Sequence, residues 1–158
     1  MAAETKRERA EATIHEFRED HAQAVTTISR EAPAAANWPE DSYREALKWP
    51  GVVALVSEGA GIVTGFILGR QVADEAEILN LAVAPANRRR GEGQTLLKAA
   101  LDEFRSRRVS RVFLEVRESN ETGITFYEKR GFFKTGRRPG YYRDPDETAI
   151  VMEMKLAG

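Results

Sequence analysis

The chain has 158 residues, 42% hydrophobic and 31% charged, which is the make-up of one ordinary globular domain with its own core. It has no cysteine, which removes disulfides, thiolate metal sites and a cysteine nucleophile. No apolar run approaches the roughly 20 residues of a membrane span, and the charged start Met1–Arg9 lacks the apolar stretch of a signal peptide, so a cytoplasmic location is expected.

The net charge of −1 is unevenly spread: residues 1–80 carry 8 Lys/Arg and 14 Asp/Glu, giving −6, and residues 81–158 carry 16 and 11, giving +5. The balanced total argues against general nucleic-acid binding. The basic second half suits a locally anionic ligand, or is ordinary surface charge.

Residues 1–12 are charged and weakly patterned, and read as a flexible arm before a single domain over 13–158. Thr13–Phe17 alternates like a short strand, and Asp20 is placed to cap a helix from His21 to about Arg30. Pro33 and Pro39 bracket a loop holding Trp38; a short helix follows over Glu40–Lys48, stopped by Pro50-Gly51. Val52–Val56 and Ile62–Leu68 form a hairpin turned at Glu58-Gly59-Ala60-Gly61. Glu77–Val83 is a third, largely buried strand. A long helix then carries Leu96, Leu97, Ala100, Leu101 and Phe104 at helical spacing. Arg111–Val116 is a strand, and a helix beginning near Ser119-Asn120 runs toward Gly131 with Ile124 and Tyr127 on one face. Two last strands, about Phe132–Arg137 and Ala149–Lys155, flank a polar loop holding Tyr141, Tyr142 and Pro145. The order β-α-α-β-β-β-α-β-α-β-β describes a mixed sheet with helices on its faces.

The segment Leu81-Ala82-Val83-Ala84-Pro85-Ala86-Asn87-Arg88-Arg89-Arg90-Gly91-Glu92-Gly93-Gln94 takes a strand through a glycine-bearing turn into a helix. The first N–H groups of a helix have no internal partner and sit at the positive end of its dipole, so such a turn can cradle a phosphate or pyrophosphate. It lacks the Gly-Lys-Ser/Thr ending of a nucleotide triphosphate loop and the third glycine of a dinucleotide turn. Without a ligand it is a glycine loop beside an exposed arginine run. Glu92 is out of place there: facing a phosphate it weakens binding, and facing solvent its effect is screened.

Glu115 lies in an otherwise apolar strand. Either desolvation suits it to general-base work, or it turns to solvent or pairs with an arginine. Tyr127 is a proton donor or a core aromatic. His15 and His21 have no spaced metal partner and read as surface or packing residues; no metal is expected. Arg88-Arg89-Arg90 lacks the interleaved aromatics of a nucleic-acid site, and Lys129, Arg130, Arg137 and Arg138 read as a solvated face.

The turn matches Arg/Gln-x-x-Gly-x-Gly/Ala as Arg88-x-x-Gly91-x-Gly93, and here the chain resembles the GNAT acetyltransferase superfamily. Glu115-Val-Arg-x-Ser-Asn120 followed by Phe126-Tyr127-x-x-x-Gly131-Phe132 and by Gly140-Tyr141-Tyr142-Arg143-Asp144-Pro145 is similar to its RimI-type ribosomal-protein alanine N-acetyltransferases. The resemblance runs from about Glu75 to Met154; before that it is limited to Trp38 and its flanking helix.

The resemblance implies an α/β (α+β) fold, a GNAT-like mixed, mostly antiparallel sheet of about six to seven strands flanked by about four helices. It implies acetyl-CoA as acetyl donor, held by Leu81, Ala82, Val83, Arg88, Arg89, Arg90, Gly91, Glu92, Gly93, Gln94, Asn120 and Tyr127. Glu115 is implied as base and Tyr127 as acid, with Trp38, Tyr141 and Tyr142 toward the acceptor. The expected acceptor is a protein or peptide N-terminus, with the alanine of a ribosomal protein as the one the resemblance implies. No specific nucleic acid and no membrane is implied, and the chain is a monomer or weak dimer. A lysine side chain or small amine as acceptor, and a non-catalytic acyl-CoA-binding module, are the alternatives.

Overall fold

The computed structural model describes residues 12–156. Seven strands are formed by Thr13–Glu16 (β1), Val52–Gly59 (β2), Ile62–Val72 (β3), Glu75–Val83 (β4), Arg111–Arg117 (β5), Phe133–Tyr142 (β6) and Glu147–Lys155 (β7). Four α-helices are formed by Ala22–Arg30 (α1), Glu40–Ala46 (α2), Glu92–Ser106 (α3) and Glu121–Glu128 (α4). The strands make one sheet in the order β1-β2-β3-β4-β5-β7-β6, antiparallel throughout except between β4 and β5. This is the expected mixed sheet with four helices.

Each face of the sheet carries its own core. On one, α3 lays Leu96, Leu97, Ala100, Leu101 and Phe104 against Ile67, Ile78, Val112, Leu114 and Met152, and Ile124 of α4 joins them. On the other, Val25 and Ile28 of α1 and Tyr43 of α2 pack on Phe17, Val56, Phe66 and Leu68. Side chains of this size contribute roughly 1.5–3 kcal/mol each when fully buried, so the two stripes hold the helices to the sheet. The β2–β3 hairpin turns on Ala60 and Gly61, both at positive φ (53° and 77°), the conformation that suits a two-residue turn.

The feature that positions the site is a bulge in β4. Leu68 of β3 pairs with Asn80, and Gly69 pairs with Ile78, so Leu79 has no partner. An extra residue bends its strand. β4 pairs with β5 only from Glu75–Ile78 to Arg111–Leu114; beyond that, β4 stays with β3 and Glu115–Arg117 of β5 stay with β7. A cleft therefore opens between the two central strands.

Several local expectations are corrected. Asp20 does not cap α1: it lies in a 3₁₀ turn, Glu19–His21, and the imidazole Nδ1 of His21 accepts from the Arg18 N–H at 2.9 Å. The helix expected to reach Lys48 ends at Ala46. The tyrosines expected in a loop end a strand instead, because β6 runs through Tyr142. The expected N-terminal arm lies outside the described residues except for Ala12. The stretch between α1 and α2 is tied to the sheet by Asn80, whose Nδ2 donates to Ala36 O and to Tyr43 Oη, each at 2.9 Å, while its Oδ1 accepts from Ala36 N–H at 3.3 Å.

Candidate active site

The anion turn has the expected form. Gly91 is the residue before α3 and sits in the left-handed region (φ 78°), which a side chain resists. Gly93 is less demanding: an added Cβ would meet Phe126 and Val83 at 3.7–3.8 Å, ordinary contact distance. Glu92 takes neither of the orientations expected of it. Its carboxylate turns back toward the sheet, with Ser57 Oγ 3.4 Å from one oxygen and Asn87 Nδ2 3.4 Å from the other. In the first turn of α3 this carboxylate also gains from the helix dipole. The three arginines separate: Arg88 donates to Val83 O (3.2 Å) and to Glu31 O (3.0 Å), bracing the turn against the end of α1, whereas Arg89 and Arg90 are exposed beside the cradle.

Along the cleft edge of β4 the backbone is available. Ala84 N–H donates to Thr64 O of β3, so alternation turns the N–H groups of Ala82 and Asn80 the same way and those of Val83 and Leu81 toward the cleft. Asn80 Oδ1 lies 3.1 Å from Leu81 N–H, which leaves Val83 N–H as the cleft-facing donor best able to meet a ligand oxygen.

Glu115 and Tyr127 approach this cleft from opposite faces of the sheet. Val112, Leu114 and Val116 of β5 belong to the core beneath α3, so Phe113, Glu115 and Arg117 point to the other face. Tyr127 packs on the α3 side, with its ring 5.1 Å from Phe126 and 5.5 Å from Phe132. Burial, and secondarily the neighbouring Tyr142, pushes its hydroxyl far above the ordinary tyrosine range, so it keeps its proton at any physiological pH. Glu115 is on an interior strand, not an edge, and its side chain is only 9% exposed. One carboxylate oxygen lies 3.5 Å from Arg138 Nη1, and the other is buried without a hydrogen-bond partner.

The end of β6 closes over Glu115. Tyr141 lies against its carboxylate, which together with burial raises the Tyr141 hydroxyl. Tyr142 is pushed up to about 12, by burial first and then by Glu115, and Arg117 stacks 4.3 Å from its ring centre. Glu77 of β4, unremarked in the sequence, is raised by burial and then by the charge of Glu115, with Arg138 opposing.

The structure thus brings together Glu115, Tyr127, Tyr141 and Tyr142 with the β4 segment Leu81–Val83. Asn120 caps α4, its Oδ1 accepting from Gly123 N–H at 2.9 Å, which leaves its amide nitrogen as a donor. Gln94 accepts from Arg130 at 2.9 Å. Trp38 stands against Tyr43 and Trp49, ring centres 5.3 and 6.1 Å away, in the aromatic cluster under the α1–α2 stretch. Two arginines assigned to a solvated face do other work: Arg138 pairs with Glu115, and Arg130 stacks on Phe126 at 4.1 Å and donates to Phe126 O, clamping α4 to α3. Sequence alternation could have linked Arg138 to no particular partner, because the β6–β7 register shifts between Arg138 and Tyr142.

Comparison with known proteins shows the family. Residues 14–132 match the Acetyltransferase (GNAT) family. The chain is 34% identical over 134 residues to a Bacillus subtilis protein provisionally named as a ribosomal protein bS18-alanine N-acetyltransferase, covering 84% of this chain and 86% of that one. The crystal structure of the Escherichia coli ribosomal-protein-S18-alanine N-acetyltransferase superposes with a TM-score of 0.84 at 32% identity, over 93% of this chain and 96% of that one. That of Ard1 from Thermoplasma volcanium does so with a TM-score of 0.86 at 32% identity, over 94% and 100%. A strand bulge that parts β4 from β5, a glycine-initiated helix beside the gap and this family match together make the chain a member of the GNAT acetyltransferase family, an N-acetyltransferase.

Proposed function

We propose that this enzyme transfers the acetyl group of acetyl-CoA to the N-terminal α-amine of a protein, an alanine-starting ribosomal protein being the preferred acceptor, with Glu115 as base and Tyr127 as acid. The observation that carries the mechanism is the placement of these two groups on opposite faces of one cleft. The names of the Bacillus subtilis and Escherichia coli relatives support the acceptor. A ribosomal acceptor places the reaction in the cytoplasm, and among the described residues no helix is long and apolar enough to cross a membrane.

The steps follow from the side chains. An α-amine has an ordinary pKa of roughly 8, so only a modest base is needed near neutrality, and the buried, unpartnered oxygen of Glu115 is placed to take the proton. The neutral amine attacks the thioester carbonyl held in the cleft, where alignment supplies much of the rate. Val83 N–H donates to the carbonyl oxygen as negative charge develops. As the tetrahedral adduct collapses, its nitrogen gives up the extra proton to water, the carbon–sulfur bond breaks, and Tyr127, kept protonated by its burial, gives its proton to the departing thiolate and regains one from solvent. The helix start at Gly91–Gln94, with Arg89 and Arg90 beside it, holds the pyrophosphate, and the Asn120 amide nitrogen holds the arm leading to the thioester.

The test is release of free CoA from acetyl-CoA with an Ala-starting peptide, compared with its N-blocked, lysine-containing counterpart and with small amines. Turnover confined to the free α-amine is expected. Turnover only with lysine or a small amine overturns the acceptor, and tight acetyl-CoA binding without turnover overturns the enzyme mechanism.

A further inference from the structure

Resting on that reading, a second carboxylate belongs to the acceptor site. Glu77 is the register partner of Phe113 in the last paired stretch of β4 and β5, so its side chain shares a face with Phe113 and therefore with Glu115, two residues further along β5. Glu115 is the first residue past the point where the strands part. The two carboxylates thus flank the inner end of the cleft on the face opposite Tyr127. The charge of Glu115 is felt at Glu77, and the Tyr141 hydroxyl feels both.

Among the described residues one cation, Arg138, acts on both. Arg138 approaches Glu115 through a single 3.5 Å contact, with its side chain 56% exposed and leaning over Tyr141, 5.8 Å from the ring centre. Neither Glu77 nor the second oxygen of Glu115 is matched by an ion pair among the described residues. Elsewhere on the same face a carboxylate pair is held more closely: Glu75 and Glu153 each bind Arg111 directly, at 2.8 and 3.1 Å. A half-buried carboxylate beside another that has a buried oxygen without a hydrogen-bond partner, with a half-exposed counter-ion, is an arrangement suited to receiving a positive charge from outside.

We propose that Glu77 is an acceptor-binding residue: with Glu115 it forms a two-carboxylate seat for the acceptor's ammonium group, from which the Arg138 guanidinium is displaced toward solvent as the acceptor enters. Glu77 supplies the attraction and Glu115 removes the proton. The seat selects acceptors that arrive as cations, and it holds the amine at the mouth of the cleft before deprotonation.

The experiment is steady-state acetylation of an α-amine acceptor by the wild-type, Glu77→Gln and Arg138→Ala enzymes, with KM and kcat measured separately for acceptor and acetyl-CoA. For Glu77→Gln the expected result is an acceptor KM raised about tenfold or more, with kcat within about threefold of wild type and the acetyl-CoA KM unmoved. For Arg138→Ala the acceptor KM falls or holds. A Glu77→Gln enzyme with unchanged acceptor KM overturns the proposal, as does one whose acetyl-CoA KM rises alongside, because a distorted cleft would move both. A wild-type enzyme that acetylates no amine overturns the functional reading itself, before Glu77 is at issue.

Discussion

Asn80 Nδ2 donates to Tyr43 Oη at 2.9 Å, a buried bond that joins the bulged strand β4 to helix α2 directly behind the cleft. Asn80→Ala orphans Ala36 N–H and removes the donor shared by Ala36 O and Tyr43 Oη, which keep only their mutual 3.4 Å bond, and is expected to cost about 2–3 kcal/mol. Tyr43→Phe removes the 3.4 Å bond to Ala36 O but leaves both Asn80–Ala36 bonds intact, and should cost about 1 kcal/mol. Urea midpoints of the two variants measure the difference; equal losses would show that Asn80 serves Tyr43 alone.

Tyr127→Phe keeps the ring contacts with Phe126 and Phe132 and removes only the proton donor. A fall in kcat of roughly 10²–10⁴ is expected, with the acetyl-CoA dissociation constant unchanged. Since the hydroxyl is held well above its ordinary value of 10.0, the wild-type rate should not decline through pH 10 on account of Tyr127. Unaltered turnover in the variant would remove Tyr127 from the acid role.

Gly91 and Gly93 are separable. Gly91→Ala forces a Cβ into the left-handed region and is expected to cost roughly 1–2 kcal/mol and to weaken CoA binding by shifting the first turn of α3. Gly93→Ala meets only ordinary contacts, and its stability should stay within about 0.5 kcal/mol of wild type. Thermal melts and CoA titration of both variants read the contrast.

Glu77 carries a stability consequence of definite sign. Its folded-state value is raised above the ordinary 4.5, so the folded protein binds this proton more tightly than the unfolded chain does. The penalty is absent below about pH 4, grows as pH rises through the folded value and is complete above it. Glu77→Gln should melt with wild type near pH 4 and above it near pH 7. A constant difference across that range would place the effect in packing.

The sequence exposed what is local. The spacing of Leu96, Leu97, Ala100, Leu101 and Phe104 was enough to place α3 and its buried face, and Arg88-x-x-Gly91-x-Gly93 marked the turn before it. Glu115 stood out because its neighbours are apolar. What stayed hidden depends on register. One unpaired residue, Leu79, reverses which side chains of β4 reach each face, and no propensity marks it. Glu77 was only the first residue of a largely buried strand, and Arg138 part of a solvated face. Only the pairings of β4 with β5 and of β6 with β7 bring them to Glu115. Glu92 was legible as an anomaly, but its resolution lies 35 residues away, on Ser57.

The parting of β4 from β5 gives the sheet two mouths, one beside the α3 start and one beneath the end of β6. Donor and acceptor therefore need not queue for a common entrance. On the proposed reaction, the two carriers meet only at the acyl carbon, which is bonded to both in the tetrahedral adduct, and each leaves by the side from which it came. Free CoA should then compete with acetyl-CoA but not with the peptide, and the acetylated peptide should compete with the peptide but not with acetyl-CoA.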